Sequence, residues 1–582
     1  MQPSSSSSGS ESSGSKSVKK WGPIVAIVAV IAIIVGIVAS SGGSGGDDAD
    51  PSSSEAPGTT DAPIDSGAPK SDTWEYPLSF VDGQEKLTDE AFNKIAWGSR
   101  CDVELGTIAV PSFFAPPCMA PFTGENGGAT EVGVTADEIT IVHYQGPDDD
   151  PVIAYVTQAI NSNENNAQAT ETLENYIKYY ETYYELYGRK VNLVTYVSTG
   201  FATDEVTARA DAQRIVEEYA PFVVVGGPAL TNAFNDELAA RKTTCMCGGG
   251  TAQYLAERDP YLWAIDGSNE QKQQLLVEYI EKQLVGKPAS HAGDALKGEI
   301  RKFALTYVEG GSESKDLADL AVARMAAIGA DLVLVLPYQL DPGTIQESAS
   351  QIIAKLKAEG VTTVLLATDP VAPGALTREA TAQEYFPEWV VTANTLTDTN
   401  AFARSYDQAQ WAHAFGLSSL AVKTNPEKIG YAVTYKWFTG QDTPSPDGIG
   451  SLMPNWELLF AGIQDAGPNL THQTLGDSFK SFETKKAITQ PYLTWGDRGI
   501  WDEMDYSGID DVTMFWWDPT ATGMDELKKE GTGMMQFVDG GKRYLLGEMP
   551  TEDKMFVVEG AVAMYDTAPA SETPPAYPSP AG

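Results

Sequence analysis

The sequence predicts an α/β protein of two lobes, each a parallel sheet flanked by helices. Three observations carry that expectation. From residue 131 onward, short β-branched runs alternate with longer amphipathic stretches, the pattern of β-α units around a parallel sheet. The runs are nearly continuous in apolar residues, as strands covered on both faces must be. The alternation also comes in two sets, 131–265 and 266–393, with more chain to follow, so the chain builds one lobe, then another, and has residues left to cross back.

The first 73 residues are not part of a packed fold. Residues 1–20 form a polar, Ser-rich tail ending in Lys19 and Lys20, placed on the cytoplasmic side. Residues 21–39 (WGPIVAIVAVIAIIVGIVA) carry no charge. At 1.5 Å per residue they just cross a hydrocarbon core of about 30 Å. Lys16, Lys19 and Lys20 precede this segment and Asp47, Asp48 and Asp50 follow it, which leaves the N-terminus inside and the bulk outside the cell membrane. It reads as a single-pass transmembrane helix or, since 37–40 offers small residues near its end, as a cleaved signal; either way the remainder is exported. Residues 40–73, rich in Gly, Ser, Pro, Asp and Ala, read as a disordered stalk, 74–130 as an N-terminal extension and 567–582 as a loose tail.

The chain has four cysteines. In an oxidising compartment a bridge from Cys101 to Cys118 closes a short loop that holds Pro111, Pro116 and Pro117. Cys245 and Cys247 lie two apart on an expected strand, so both side chains point to one face. A strained bridge between them is one reading; a thiolate metal site is the other, disfavoured because no His lies near in sequence and the spacing is not that of a zinc knuckle.

The expected strands are 138–144 (EITIVHY), 191–197 (VNLVTYV), 222–225, 243–247, 302–308 (KFALTYV), 331–336 (DLVLVL), 361–367 (VTTVLLA) and 389–393. Helices are expected over 204–219, 232–242, 270–284, 314–328 and 344–359. Between the first two strands Leu173, Tyr176, Ile177, Tyr180, Tyr183, Tyr184 and Tyr187 recur at helical spacing and Gly188 supplies a stop, which reads as a helix laying aromatic bulk on a sheet rather than as a stacking platform. Beyond the second set, 454–482 reads as helical and 511–544 as strands and turns.

Composition and motif content narrow the function. With 39 Lys plus Arg against 80 Asp plus Glu the net charge is -41, which repels nucleic acid. The four histidines, His143, His291, His413 and His472, are scattered without a metal-binding spacing, and a lone His reads as structural. Residues 42–46 (GGSGG) match a nucleophile elbow in letters only, because they lie in the stalk. Residues 248–253 (GGGTAQ) lack the Lys of a phosphate loop. Asp148, Asp149 and Asp150 read as a solvated acidic loop more than as a calcium site. An enzyme, a metal site and a cofactor are therefore not expected.

Several stretches then resemble a known family. Residues 134–142 (VTADEITIV) open like the first strand of the type I periplasmic binding proteins, the solute receptors that include the leucine/isoleucine/valine receptors of ABC transporters. Residues 223–238 (VVVGGPALTNAFNDEL) resemble that family's strand, glycine turn and helix; 246–251 (MCGGGT) its strand ending in a small-residue turn with Thr; and 458–475, with DAGPNLTHQTL, its late helix and turn. The resemblance spans about 131–545. It implies two lobes joined by three crossovers, lobe 1 being 131–265 with 395–505 and lobe 2 being 266–394 with 506–566. It also implies a small polar solute such as an amino acid or amide, trapped between the lobes and delivered to an ABC transporter permease. The alternative is a ligand-sensing or partner-binding ectodomain without a transport role.

Loops at the carboxyl ends of parallel strands converge on one crevice, so the candidate ligand-binding residues are those at strand ends. They are Tyr144 and Gln145, Gly227 and Thr231, Gly249 and Thr251, Tyr338 and Gln339, and Asp369. The resemblance implies that Gly249 and Thr251 hold a ligand carboxylate, while Asp369 opposite is a candidate partner for an ammonium group. Residues 226–230 (GGPAL) and 309–314 (EGGSES) depart from the amino-acid receptors, which leaves the solute class open.

Overall fold

The computed structural model describes residues 70–582 other than 229, 249, 311–312 and 394–395. The apolar segment 21–39 lies outside the described residues; within them no helix is long and apolar enough to cross a membrane.

Lobe 1 is built on five parallel strands: β1 (Glu138–Gln145), β2 (Lys190–Val197), β3 (Val223–Val225), β4 (Thr244–Met246) and β5 (Leu262–Trp263), in the order β2-β1-β3-β4-β5. Ile141, Val142, Val223 and Val224 are sealed on both faces of this sheet, which is why these runs read as continuous rather than alternating. Among the helices that follow its strands are α1 (Asn166–Tyr183), α2 (Glu205–Tyr219) and α3 (Ala233–Ala240). A capping box of Asn165 and Gln168 opens α1, and α2 stops where Ala220 turns left-handed at φ 44°.

Lobe 2 carries β6 (Phe303–Val308), β7 (Leu332–Tyr338), β8 (Thr363–Ala367), β9 (Glu388–Thr392), β10 (Ala414–Ser418), β11 (Val512–Met524), β12 (Glu530–Phe537) and β13 (Arg543–Tyr544). Their order is β12-β11-β10-β9-β8-β6-β7, with β13 beside β11. β7 through β10 are parallel, whereas β11 joins β10, β12 and β13 antiparallel. α4 (Asn269–Gln283) leads into its first strand, and α5 (Glu313–Ala327), α6 (Ile345–Ala358) and α7 (Ala372–Ala382) lie between its strands.

The strand β10 corrects the expected division of the chain. Residues 395–505 do not all belong to lobe 1, because Ala414–Ser418 sits between β9 and β11 in the second sheet. Its sequence, AFGLS, hides this. A Cβ at Gly416 would lie 2.2 Å from the Val391 carbonyl oxygen, so the close approach of β9 requires the one residue that makes the strand hard to see. The chain returns to lobe 1 only after Ser418, forming α8 (Tyr431–Thr439), α9 (Pro454–Ala466) and α10 (His472–Ser481). The tyrosines of α1 pack against this returning layer: Tyr180 stacks on Phe460 with ring centroids 4.1 Å apart, and Tyr176 donates its hydroxyl to the Tyr431 carbonyl at 2.6 Å.

Crossovers therefore run at 264–268, 419–430 and 504–511. The first and third lie side by side, Ala264 pairing with Ser507 while the Trp495 indole donates to the Ala264 carbonyl at 3.0 Å. The extension is clamped on lobe 1 by Arg100 against Glu185 at 2.5 Å, and the Cys101–Cys118 disulfide is formed. The C-terminal residues are not loose. The buried Glu572 carboxylate accepts the Ile488 and Thr489 amides, and the Tyr577 hydroxyl donates to Asp102 at 2.8 Å. One buried acid and one tyrosine among Pro and Ser suffice to dock a tail whose composition reads as disordered.

Candidate functional site

The ends of β1, β3 and β4 from lobe 1 face the ends of β6 and β8 from lobe 2 across a cavity of about 380 Å3. The chain builds the lobe 1 wall by turning sharply after each strand. Gly226 takes φ +88°, where a Cβ would stand 2.9 Å from the Tyr144 carbonyl oxygen, so only glycine lets the turn fold back over β1. Thr231 accepts the Ala233 amide at 3.1 Å just ahead of α3. Cys245 and Cys247 are joined by a disulfide, and Cys247 forms part of the wall beside Asn235. No group of acids, histidines and cysteines suited to a metal ion occurs among the described residues.

Of the candidate residues, Tyr144, Gly227, Thr231 and Asp369 line the cavity. The Asp369 carboxylate is taken up by the protein itself: Oδ1 accepts the Val371 and Ala372 amides at 2.8 and 3.0 Å, and Oδ2 accepts the Tyr338 hydroxyl. Burial pushes its pKa up while these hydrogen bonds pull it down. Tyr338 thus lies behind the wall as a support. Gln145 turns toward α1, donating to the Asn166 carbonyl at 3.4 Å; Thr251 accepts the Tyr254 amide at 3.1 Å; Gln339 is exposed; none of these three lines the cavity. Gly249 lies outside the described residues. Asp150, expected in a solvated loop, is fully buried and accepts the Val152, Ile153 and Ala202 amides.

Five residues on the cavity wall that the sequence reading did not place there carry buried polar atoms. Asn455 Oδ1, Trp456 Nε1, Asp266 Oδ1 and Thr368 Oγ1 have no hydrogen-bond partner among the described residues, and the buried His143 ring interacts only with the Val225 backbone. Each of these five residues lines the cavity. They come from β1, α9, the first crossover and the end of β8. Burial holds the His143 pKa down at about 4, so the imidazole is neutral at pH 7 and offers one donor and one acceptor. Asp266 engages Lys272 through its other oxygen. Buried polar groups are normally paired, and these residues bring several such groups to the wall of one cavity. Strand-end position was the available signal for His143 and Thr368; Asn455 and Trp456 sit at the start of a helix that returns from the other lobe, which no local pattern announces.

Residues 160–504 match the family model described as a periplasmic binding protein, and the chain belongs to that family. Membership makes it a solute-binding protein rather than an enzyme. Similar solved structures include an ABC transporter solute-binding protein from Rhodopseudomonas palustris BisB5 in complex with 3,4-dihydroxybenzoic acid, 12% identical over 68% of this chain and 97% of that one, with a TM-score of 0.47. A fatty acid ABC transporter substrate-binding protein from Thermomonospora curvata is 15% identical over 74% of this chain and 97% of its own, with a TM-score of 0.47. The leucine-, isoleucine-, valine-, threonine- and alanine-binding protein from Brucella ovis is 14% identical over 74% and 100%, with a TM-score of 0.45. No curated protein sequence matches the chain.

Proposed function

We propose that the protein is the extracellular receptor of an ABC importer, held to the membrane by residues 21–39, and that it closes its lobes around a small hydrogen-bonding solute for delivery to a permease. The observation that carries this reading is the cavity between the lobes, whose wall takes buried polar residues from both lobes and a crossover. Tyr144, Gly227, Thr231 and Asp369 would form the surrounding wall, with Asp369 and Tyr338 fixing its shape. Of the two solutes that the resemblance suggests, an amide is favoured over an amino acid, since no Lys or Arg occurs among the described lining residues to meet a carboxylate.

A thermal-shift panel of amino acids, amides, polyamines, sugars and nucleosides tests it, because a ligand that binds only the folded form raises Tm by mass action. One class is expected to stabilise the protein by about 2.7 kcal/mol at a hundred times its Kd. Silence across the panel and across neutral amphiphiles would turn the assignment toward a partner-binding ectodomain.

A further inference from the structure

The cavity does not end at the cleft. It continues into lobe 2 between the sheet and the helix pair α4 and α5, where Leu276, Leu305, Ala318, Ala321, Met325 and Leu365 line it. Ala318, Ala321 and Met325 are spaced three and four apart and so share one face of α5. Two of those three positions hold only a methyl group, so this face of α5 brings little bulk to the cavity wall. The combined space is in the range of pockets that enclose drug-sized molecules and is large for a single amino acid. An apolar hollow that stays empty costs stability, which a seated apolar group returns.

The polar end has its own character. Trp456 Nε1 is a donor, Asn455 Oδ1 an acceptor, and Thr368 and the neutral His143 can serve as either. The acids on the wall are Asp266 and Asp369, with no Lys or Arg among the described lining residues. An anionic head would be desolvated there without a counter-charge.

Resting on the solute-receptor reading above, we propose that the ligand is an amphiphile whose apolar body occupies the lobe 2 hollow under α5 and whose uncharged, hydrogen-bonding head is held by His143, Asn455, Trp456 and Thr368.

The test uses the full chain and the neutral fluorescent probe N-phenyl-1-naphthylamine, displaced by n-alkyl amides of graded length and by the matching carboxylates. The probe is expected to bind saturably with enhanced emission, and decanamide to displace it at least about tenfold more strongly than decanoate, given the uncompensated desolvation of the anion. Ala321→Phe, which fills the hollow, is expected to move the preferred amide to a shorter chain, and Leu276→Ala, which enlarges it, to a longer one; if one variant fails to fold, the other still reads the hollow. Absence of saturable probe binding, equal displacement by decanoate, or an unchanged length optimum in the folded variants would overturn the proposal. If the probe fails to bind while a compact polar solute raises Tm, this inference falls and the solute-receptor reading stands; if neither occurs, both fall.

Discussion

Glu457 stands one residue beyond the cavity-lining Trp456, yet it points into the aromatic layer between α1 and the returning helices. It is buried among Tyr176, Tyr179, Tyr180 and Tyr184, and burial pushes its pKa up to about 8, with a hydrogen bond to Tyr431 pulling the other way. An acid raised in the folded state contributes fully below its unfolded pKa near 4.5, and that contribution is lost as pH rises through about 8. Glu457→Gln is therefore expected to gain on the order of 3 kcal/mol over the parent at pH 7 and nothing at pH 4. Urea denaturation across that window checks it, and parallel curves for the two proteins would refute it. Such a role is invisible in the letters, because a Glu at a helix start reads as a solvated dipole partner until the packing around it is known. The same limit explains Asp369. Its strand-end position was legible, but whether its oxygens face a ligand or cap α7 depends on the backbone turn after it.

Single elements were most legible where burial on both faces leaves a continuous apolar run, as in β1, β3, β6 and β8. They were least so where a close approach demanded glycine, as in β10, and the lobe boundary moved with that strand. Inside lobe 2 one polar constellation fixes how β9 meets the chain before β6. Arg301 donates to both oxygens of Glu388, at 2.8 and 2.9 Å, and Thr363 adds a hydroxyl at 2.8 Å, with both charged side chains almost wholly buried. Removing one partner strands the other charge. Arg301→Met is expected to cost about 3–5 kcal/mol, whereas Arg301→Met combined with Glu388→Leu should recover most of that loss. Chemical denaturation of the three proteins reads it directly. A double variant no more stable than the single one would mean that the pair, and not the avoidance of a lone charge, holds the two segments.

At the scale of the whole molecule, both lobes bring buried polar groups to the wall of the cleft among the described residues. His143, Asn455 and Trp456 belong to lobe 1, Asp266 to a crossover, and Thr368 to lobe 2. A ligand head held by lobe 1 gains the Thr368 hydroxyl only when lobe 2 is brought against it, so this bond acts on the hinge equilibrium as well as on affinity. Thr368→Val keeps the shape of the wall and deletes the bond. Its expected effect is a loss of affinity of about tenfold, the worth of one hydrogen bond, together with a smaller ligand-induced contraction in the radius of gyration from small-angle scattering at saturation. Trp456→Phe removes a donor from lobe 1 and should lower affinity while leaving the contraction at saturation intact. If both variants weaken binding but contract like the parent, the ligand is held by lobe 1 alone and closure is driven by the apolar contacts of the lobe 2 hollow.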